Sequence, residues 1–140
     1  MPRRTNVARA DDERSEARER ALSLLYETES KAARVADVLD ALPIPPDPLA
    51  DLLVRGVERD AERIDALITR HAKGWSMARM AQVDRTVLRI ATFELLERPD
   101  VPVAVVLDEA VELAKRFSTD DTGRFVNGVL AAIARETRPP

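Results

Sequence analysis

The segment RFSTDDTGRF, near the end of the chain, concentrates residue types that can bind an anion or a base. It holds Phe117 and Phe125, two of only three phenylalanines in a chain with one tyrosine and one tryptophan. Arg124 adjoins Phe125, and Asp121 follows Ser118 at the spacing of a helix capping box. A helix start can hold phosphate, and aromatic rings and arginine planes can stack on unpaired bases. The segment is therefore either a helix cap or an RNA contact.

Catalytic and metal sites have little support in the sequence. The absence of cysteine excludes disulfides, thiolate zinc sites and cysteine nucleophiles. The one histidine, His71, has no carboxylate three or four residues before it, so a Glu-x-x-His metal motif is absent. Asp108, Glu109 and Glu112 could form a carboxylate site, but pairing of Glu112 with Lys115 on a solvated helix face is the simpler interpretation. We therefore expect no enzyme activity, metal or cofactor.

Length and charge limit the remaining functions. The 140 residues suit one domain with a modest core. The net charge of −3 argues against a general nucleic-acid binder, which needs a broad basic surface, so any RNA contact should be local and shared with a partner. No apolar run approaches the roughly 18 residues of a membrane span, and no signal peptide is recognisable. We expect a cytoplasmic protein without membrane contact.

The spacing of apolar residues predicts an all-α fold. Helical periodicity marks residues 13–29, 32–42 and 49–72, and no segment alternates with a period of two. Between the second and third of these helices, the prolines of PIPPDP cannot be helical. Three or four more helices follow, the next-to-last opened by Pro102 and the last starting near Ser118.

The same pattern predicts how the chain is divided. Residues 1–12 show no periodicity and are expected to form a disordered basic arm. Residues 13–140 are expected to form a single helical domain of about seven helices. The break at KGWS, with Gly74 as a helix end, suggests subdomains at about 13–73 and 76–137.

At this point the sequence resembles the NusB family of transcription antitermination factors. The second half holds four motifs in the family's order and spacing: VLRIATFEL (87–95), DVP (100–102), DEAVELAKRF (108–117) and FVNGVL (125–130). The first helix matches at Ala17, Arg18, Ala21, Leu25, Tyr26 and Glu27. The resemblance covers nearly the whole chain, weakly across 30–75 and strongly across 82–130.

The resemblance implies a fold and a set of partners. The fold would be two roughly perpendicular three-helix bundles. Proteins of this family join a small ribosomal protein, NusE, bind the boxA element of nascent ribosomal RNA, and help RNA polymerase to pass terminators. The implied partners are therefore boxA-type RNA, NusE and the antitermination complex of RNA polymerase. The sequence leaves the choice between a monomer and a homodimer open.

Carried over by motif, the resemblance also implies two surfaces. The RNA-binding residues it implies are Arg14, Arg18, Tyr26, Phe117, Asp121, Arg124 and Phe125. The residue it implies for the ribosomal-protein surface is Asp84. The family often has a basic run before the Ala-Arg of the first helix, where this chain has Arg14, Ser15 and Glu16. Phosphate contact there should be weaker.

Two other functions compete with this adaptor role. The first is a helical bundle that binds proteins or itself and has little RNA affinity of its own. The second is an accessory domain of an RNA methyltransferase, which ranks last because the sequence has no methyl-donor motif. Two of the implied RNA contacts also have a structural alternative, since Tyr26 could lie at the edge of the core and Phe125 could be buried in it.

Overall fold

The computed structural model describes the backbone of residues 6–119 and 121–140, and side chains from Asp12 onward within those ranges. The helices are α1 (Asn6–Ser30), α2 (Val35–Asp40), α3 (Pro48–Arg59), α4 (Ala61–His71), α5 (Gln82–Glu97), α6 (Val103–Phe117) and α7 (Thr122–Thr137). A short 3-10 helix at Met77–Arg79 precedes α5. The described residues contain no strand, and the predicted all-α fold is confirmed.

Three helices begin at positions other than those predicted. α1 begins at Asn6, so residues 6–12 are helical rather than part of a disordered arm, and residues 1–5 of that arm lie outside the described residues. α2 begins at Val35, where the Glu58 carboxylate of α3 accepts the backbone N–H at 2.8 Å. α7 begins at Thr122 instead of near Ser118.

The predicted helix over 49–72 is two helices. The chain breaks at Asp60, whose φ of −100° and ψ of 18° leave the α-helical region, and its carboxylate pairs with Arg59 at 3.0 Å. The apolar spacing continues from Val57 in α3 to Ile64 and Ile68 in α4, and all three are buried. Periodicity alone therefore could not show the break.

The core is organised around α5. Ten of its sixteen residues are buried, and it contacts α1, α3, α4, α6 and α7. α3 approaches α5 at Gly56, where an added Cβ would lie 2.2 Å from the Phe93 ring. Only glycine allows this approach without displacing the largest fully buried side chain. The division into two subdomains stays a prediction.

Arginine side chains fix both sides of α5. Arg18 of α1 makes two hydrogen bonds of 2.9 Å to the buried Glu94 carboxylate, which also accepts Arg98 at 2.8 Å. At the end of α5, Arg138 donates to the backbone carbonyls of Glu94, Leu95, Val101 and Arg98. These contacts hold α1, the α5–α6 turn and the end of α7 together at the C-terminal end of α5.

Candidate nucleic-acid interface

The start of α5, the end of α6 and the start of α7 meet at one end of the molecule. The Asp84 carboxylate, in the first turn of α5, lies beside the hydroxyl groups of Ser118 and Thr122. α1 reaches the same place, because the Gln82 side chain donates to the Tyr26 carbonyl at 3.2 Å. Residues distant in sequence thus share one surface.

Four aromatic residues lie on the segments that meet here, and we call this end of the molecule the aromatic end: Tyr26, Trp75, Phe117 and Phe125. Tyr26 is 42% exposed, Phe117 43% and Trp75 54%. Phe125 is partly buried against the core, with its ring 6.1 Å from that of Trp75 at 57°. Several exposed apolar rings at one end of a soluble protein are typical of an interaction surface when they form a contiguous patch.

Arginine side chains accompany the rings. The Arg116 guanidinium lies 4.9 Å above the Phe117 ring and pairs with Glu19 of α1 at 3.2 Å. Arg124 is exposed on the first turns of α7 and forms no ion pair with another residue in the described part of the chain. The surface can therefore offer both a stacking face and positive charge to a phosphate.

Asp121 does not form the predicted capping box. It occupies the N-cap position of α7, but its side chain makes no capping hydrogen bond. The turn is closed instead by the Thr122 backbone N–H and hydroxyl, which donate to the Thr119 carbonyl at 3.2 Å and 2.7 Å. Ser118 ends α6 rather than starting α7. The exposed Asp121 carboxylate is thus free of that structural role.

Arg18 and Arg14 lie away from the aromatic end. The Arg18 side chain is 3% exposed and bonded to Glu94, so its guanidinium does not reach the surface, contrary to its predicted RNA contact. Arg14 is exposed, but it lines a hollow with Pro102 and Val105 at the start of α6. Phe117 is at the other end of that fifteen-residue helix, which is about 20 Å long.

Asp84 is buried rather than exposed, and its contact with a ribosomal protein stays a prediction. It is 5% exposed and forms the floor of a 280 Å³ cavity at the aromatic end. Burial raises the pKa of its carboxyl, and the neighbouring hydroxyl groups of Ser118 and Thr122 oppose that shift only in part. A ligand or partner group would therefore have to enter the cavity to contact this carboxyl.

The cavity also contains residues that sequence reasoning missed. The missed residues are Trp75 and Arg79. Trp75 forms the aromatic walls together with Phe125, and Asp121 also lies at the lining; the sequence predicted both Phe125 and Asp121 as contacts. The sequence signal was the single tryptophan directly after Gly74, in a segment interpreted only as a helix break. The positive φ of Gly74, 81°, makes the turn that carries Trp75 toward α7.

The comparisons with known proteins decide the family. The family model described as "NusB family" matches residues 15–135. The chain belongs to the NusB family. It is 49% identical over 127 residues to the transcription antitermination protein NusB of Saccharopolyspora erythraea, with 86% of each chain covered.

Solved structures of the family show the same fold. The T. maritima NusB structure superposes with a TM-score of 0.81 at 36% identity, covering 90% of this chain and 93% of that one. A structure of antitermination factors NusB and NusE in complex with dsRNA matches with a TM-score of 0.74 at 29% identity, covering 88% and 96%. The predicted NusB-like architecture is confirmed. None of the helices that the structure describes is long and apolar enough to cross a membrane.

Proposed function

We propose that this chain serves the antitermination complex of RNA polymerase by binding boxA-type RNA together with the ribosomal protein NusE. The observation that carries the proposal is the aromatic end, where exposed rings stand beside Arg116 and Arg124. Membership in the NusB family and the related complex of NusB, NusE and dsRNA support both partners. The chain acts by binding and orienting RNA rather than by catalysis.

The chemistry of the aromatic end favours unpaired RNA. Bases inside a duplex cover each other's faces, whereas bases in a single strand can stack on an exposed ring. Trp75 and Phe117 each present such a ring, and the guanidinium of Arg116 over Phe117 adds a second planar surface. A single-stranded boxA element is therefore the form of RNA that this surface suits.

The charges explain why a partner is needed. The chain carries a net charge of −3, Arg116 is already paired with Glu19, and Asp121 stands close in sequence to Arg124. Few cations remain for phosphate, and the affinity of a protein for RNA rises with the number of phosphates it neutralises. NusE supplies the additional contacts in this proposal.

A protein-binding bundle with little RNA affinity of its own remains the second candidate. Two observations favour it: Arg18 is buried in an ion pair, and Arg14 lies at the far end of α6 from Phe117. Neither arginine therefore adds positive charge to the aromatic end.

The test is a titration of a boxA-like RNA and a scrambled RNA, each with and without NusE. We expect the chain alone to bind both RNAs weakly, and we expect NusE to increase clearly its affinity for the boxA-like RNA. Equal affinity in all four mixtures would remove the adaptor function and leave the protein-binding alternative.

A variant pair locates the surface. Phe117→Ala removes an exposed ring of the aromatic end and should weaken the boxA-like complex roughly 5- to 100-fold, the range of one base–aromatic stack. Ile44→Ala is the matched control, because Ile44 is 77% exposed on the loop between α2 and α3. Equal losses of RNA affinity in the two variants would mean that RNA does not bind at the aromatic end.

A further inference from the structure

The cavity at the aromatic end has the dimensions and lining of a site for one planar group. Its 280 Å³ lies just below the roughly 300 Å³ at which small-molecule sites begin. Trp75 and Phe125 form two of its walls, with ring centroids 6.1 Å apart and planes tilted by 57°, which is the geometry of a packed aromatic pair. A flat ligand in the cavity would therefore stack on the exposed face of Trp75 rather than between the two rings.

Trp75 supplies a stacking face. More than half of its surface is exposed, although it is the only tryptophan of the chain and adjoins the partly buried Phe125. Tryptophan is highly buried on average, so Trp75 leaves more of its ring in solvent than is usual for this residue type. Its exposed face is available to stack on a base.

Asp84 supplies an unused hydrogen-bond acceptor. Its Oδ1 atom is buried and accepts no hydrogen bond from any residue that the structure describes. An unpaired buried acceptor is costly to keep, and a donor that enters the cavity would remove that cost. Aspartate and glutamate carboxylates accept from the exocyclic amino groups of bases, as with N4 of cytosine.

We propose that one unpaired RNA base with an exocyclic amino group enters this cavity, stacks on Trp75 and donates a hydrogen bond from that amino group to the Asp84 carboxylate. The inference rests on the proposed RNA-binding function and adds to it a determinant of sequence preference. Adenine, cytosine and guanine carry such an amino group, whereas uracil does not. Arg79, which lines the cavity and is exposed, is placed to contact a phosphate of the same strand.

A base fits the site better than a cationic side chain of a protein partner. Burial raises the pKa of Asp84, which disfavours the negative charge that a cation would need. Arg79 already brings positive charge to the lining. Asp121, also at the lining, would attract a cation, so the experiment includes that occupant as an outcome.

The first experiment locates the base. Each nucleotide of a boxA-like single strand is replaced in turn by an abasic one, and affinity is measured with the complex of this chain and NusE. We expect one position at which the loss is roughly 5- to 100-fold in the wild type and close to none in Trp75→Ala. Ile44→Ala, a change at another exposed apolar side chain, should retain the wild-type pattern.

The second experiment tests the amino group. At that position the base is replaced by its analogue without the amino group, for example inosine for guanosine. The replacement should lower the RNA affinity of the wild type roughly 5- to 100-fold and change the affinity of Asp84→Ala little. Asp84→Asn keeps an acceptor oxygen and should recover part of the discrimination, and Asp40→Asn, on the exposed end of α2, is the charge control. Should Asp84→Ala fail to fold, Trp75→Ala still decides the first experiment.

The outcomes separate this inference from the proposed function. One outcome is that the complex prefers the boxA-like RNA while no abasic replacement shows a loss that depends on Trp75. This result would overturn the cavity site but not the adaptor function. Loss of NusE binding by Trp75→Ala in the absence of RNA would also overturn it, because the cavity would then hold a side chain of the partner. Absence of any preference between the boxA-like and scrambled RNAs would overturn the adaptor function itself.

Discussion

Two regions of this molecule use arginine in opposite ways. At the junction of α1 and α5, Arg18 and Arg98 both bind the carboxylate of Glu94, and the Arg18 and Glu94 side chains are almost fully buried. At the aromatic end, Arg124 is exposed and has no ion pair within the described residues. In the first arrangement the arginine charges are neutralised by Glu94 within the fold, whereas in the second the charge of Arg124 is available to a ligand.

The difference teaches that the neighbours of an arginine decide its role. Arg18 stands 76 residues from Glu94 in the sequence, so no local pattern around it could show the pair. The family resemblance placed Arg18 on the RNA surface with the same weight as Arg124. The structure separates them, because one side chain faces α5 and the other faces solvent.

The largest effect expected from this comparison is on stability. Glu94→Ala leaves two arginines near the junction without their carboxylate, and removing one partner of a buried pair costs about 3–5 kcal/mol. Chemical denaturation measures the loss. RNA affinity, measured under conditions where the variant is folded, should change little.

The double variant Arg18→Met with Glu94→Leu is the control for this prediction. It replaces charged side chains by apolar ones of similar size, and such exchanges are often neutral or stabilising. A double variant as unstable as Glu94→Ala would show that the attraction within the ion pair exceeds the desolvation penalty of burying its two charges. A specific loss of RNA affinity in Arg18→Ala at unchanged stability would restore the predicted RNA contact.

Much of the fold was predictable from the sequence. The proline-rich link, the end of the helix before Gly74 and the helix opened by Pro102 each depend on the backbone chemistry of one or two residues. The break at Asp60 was not predictable, because the buried stripe of α3 continues into α4 without a change of period.

The site was less predictable than the fold. Phe117 and Arg124 are exposed as a binding residue must be, and a short segment around the start of α7 suggested both. Asp84 and Trp75 meet only through packing of the 72–82 segment against α7, which no spacing in the sequence encodes. The side chains that lie beside Asp84 include Ser118 and Thr122, more than thirty residues later in the sequence.

A second prediction concerns pH and Asp84. Burial raises the pKa of this carboxyl in the folded protein above its ordinary value of 3.8. Between the two values the folded chain holds a proton that the unfolded chain has released, so the free energy of unfolding should fall as pH rises through this interval. Asp84→Asn cannot titrate and should lack this contribution.

Denaturation of both proteins between about pH 4 and about pH 7 measures the difference. We expect Asp84→Asn to gain stability relative to the wild type as pH rises. A wild type that instead gains stability relative to Asp84→Asn over the same range would show that Ser118 and Thr122 outweigh burial.

A third prediction concerns the exposed charge of Arg124. Arg124→Ala should lower the affinity for boxA-like and for scrambled RNA by the same factor, because a phosphate contact carries no sequence information. The slope of the logarithm of affinity against the logarithm of salt concentration should fall by about 0.7 for a single strand. Arg135→Ala, near the other end of α7, is the control and should leave both quantities unchanged. An unchanged slope in Arg124→Ala would remove Arg124 from the phosphate contacts.

The smallest effect is expected at Asp121, which separates capping from charge. Its carboxylate makes no capping hydrogen bond, so in Asp121→Asn only the attraction between the negative charge and the start of α7 is lost, about 0.3–1 kcal/mol of stability. The same charge repels phosphate near Arg124. Its removal should strengthen RNA binding a few-fold at low salt and less at high salt, because salt screens exposed charges.

Melting temperature and RNA affinity, measured together on Asp121→Asn at two salt concentrations, test this prediction. Asp40→Asn removes an equivalent exposed charge from α2 and should change neither RNA affinity nor its salt dependence. A fall in melting temperature with unchanged or weaker RNA binding would mean that Asp121 serves only α7. Tighter RNA binding confined to Asp121→Asn would mean that one exposed carboxylate keeps the aromatic end from binding RNA strongly before NusE joins it.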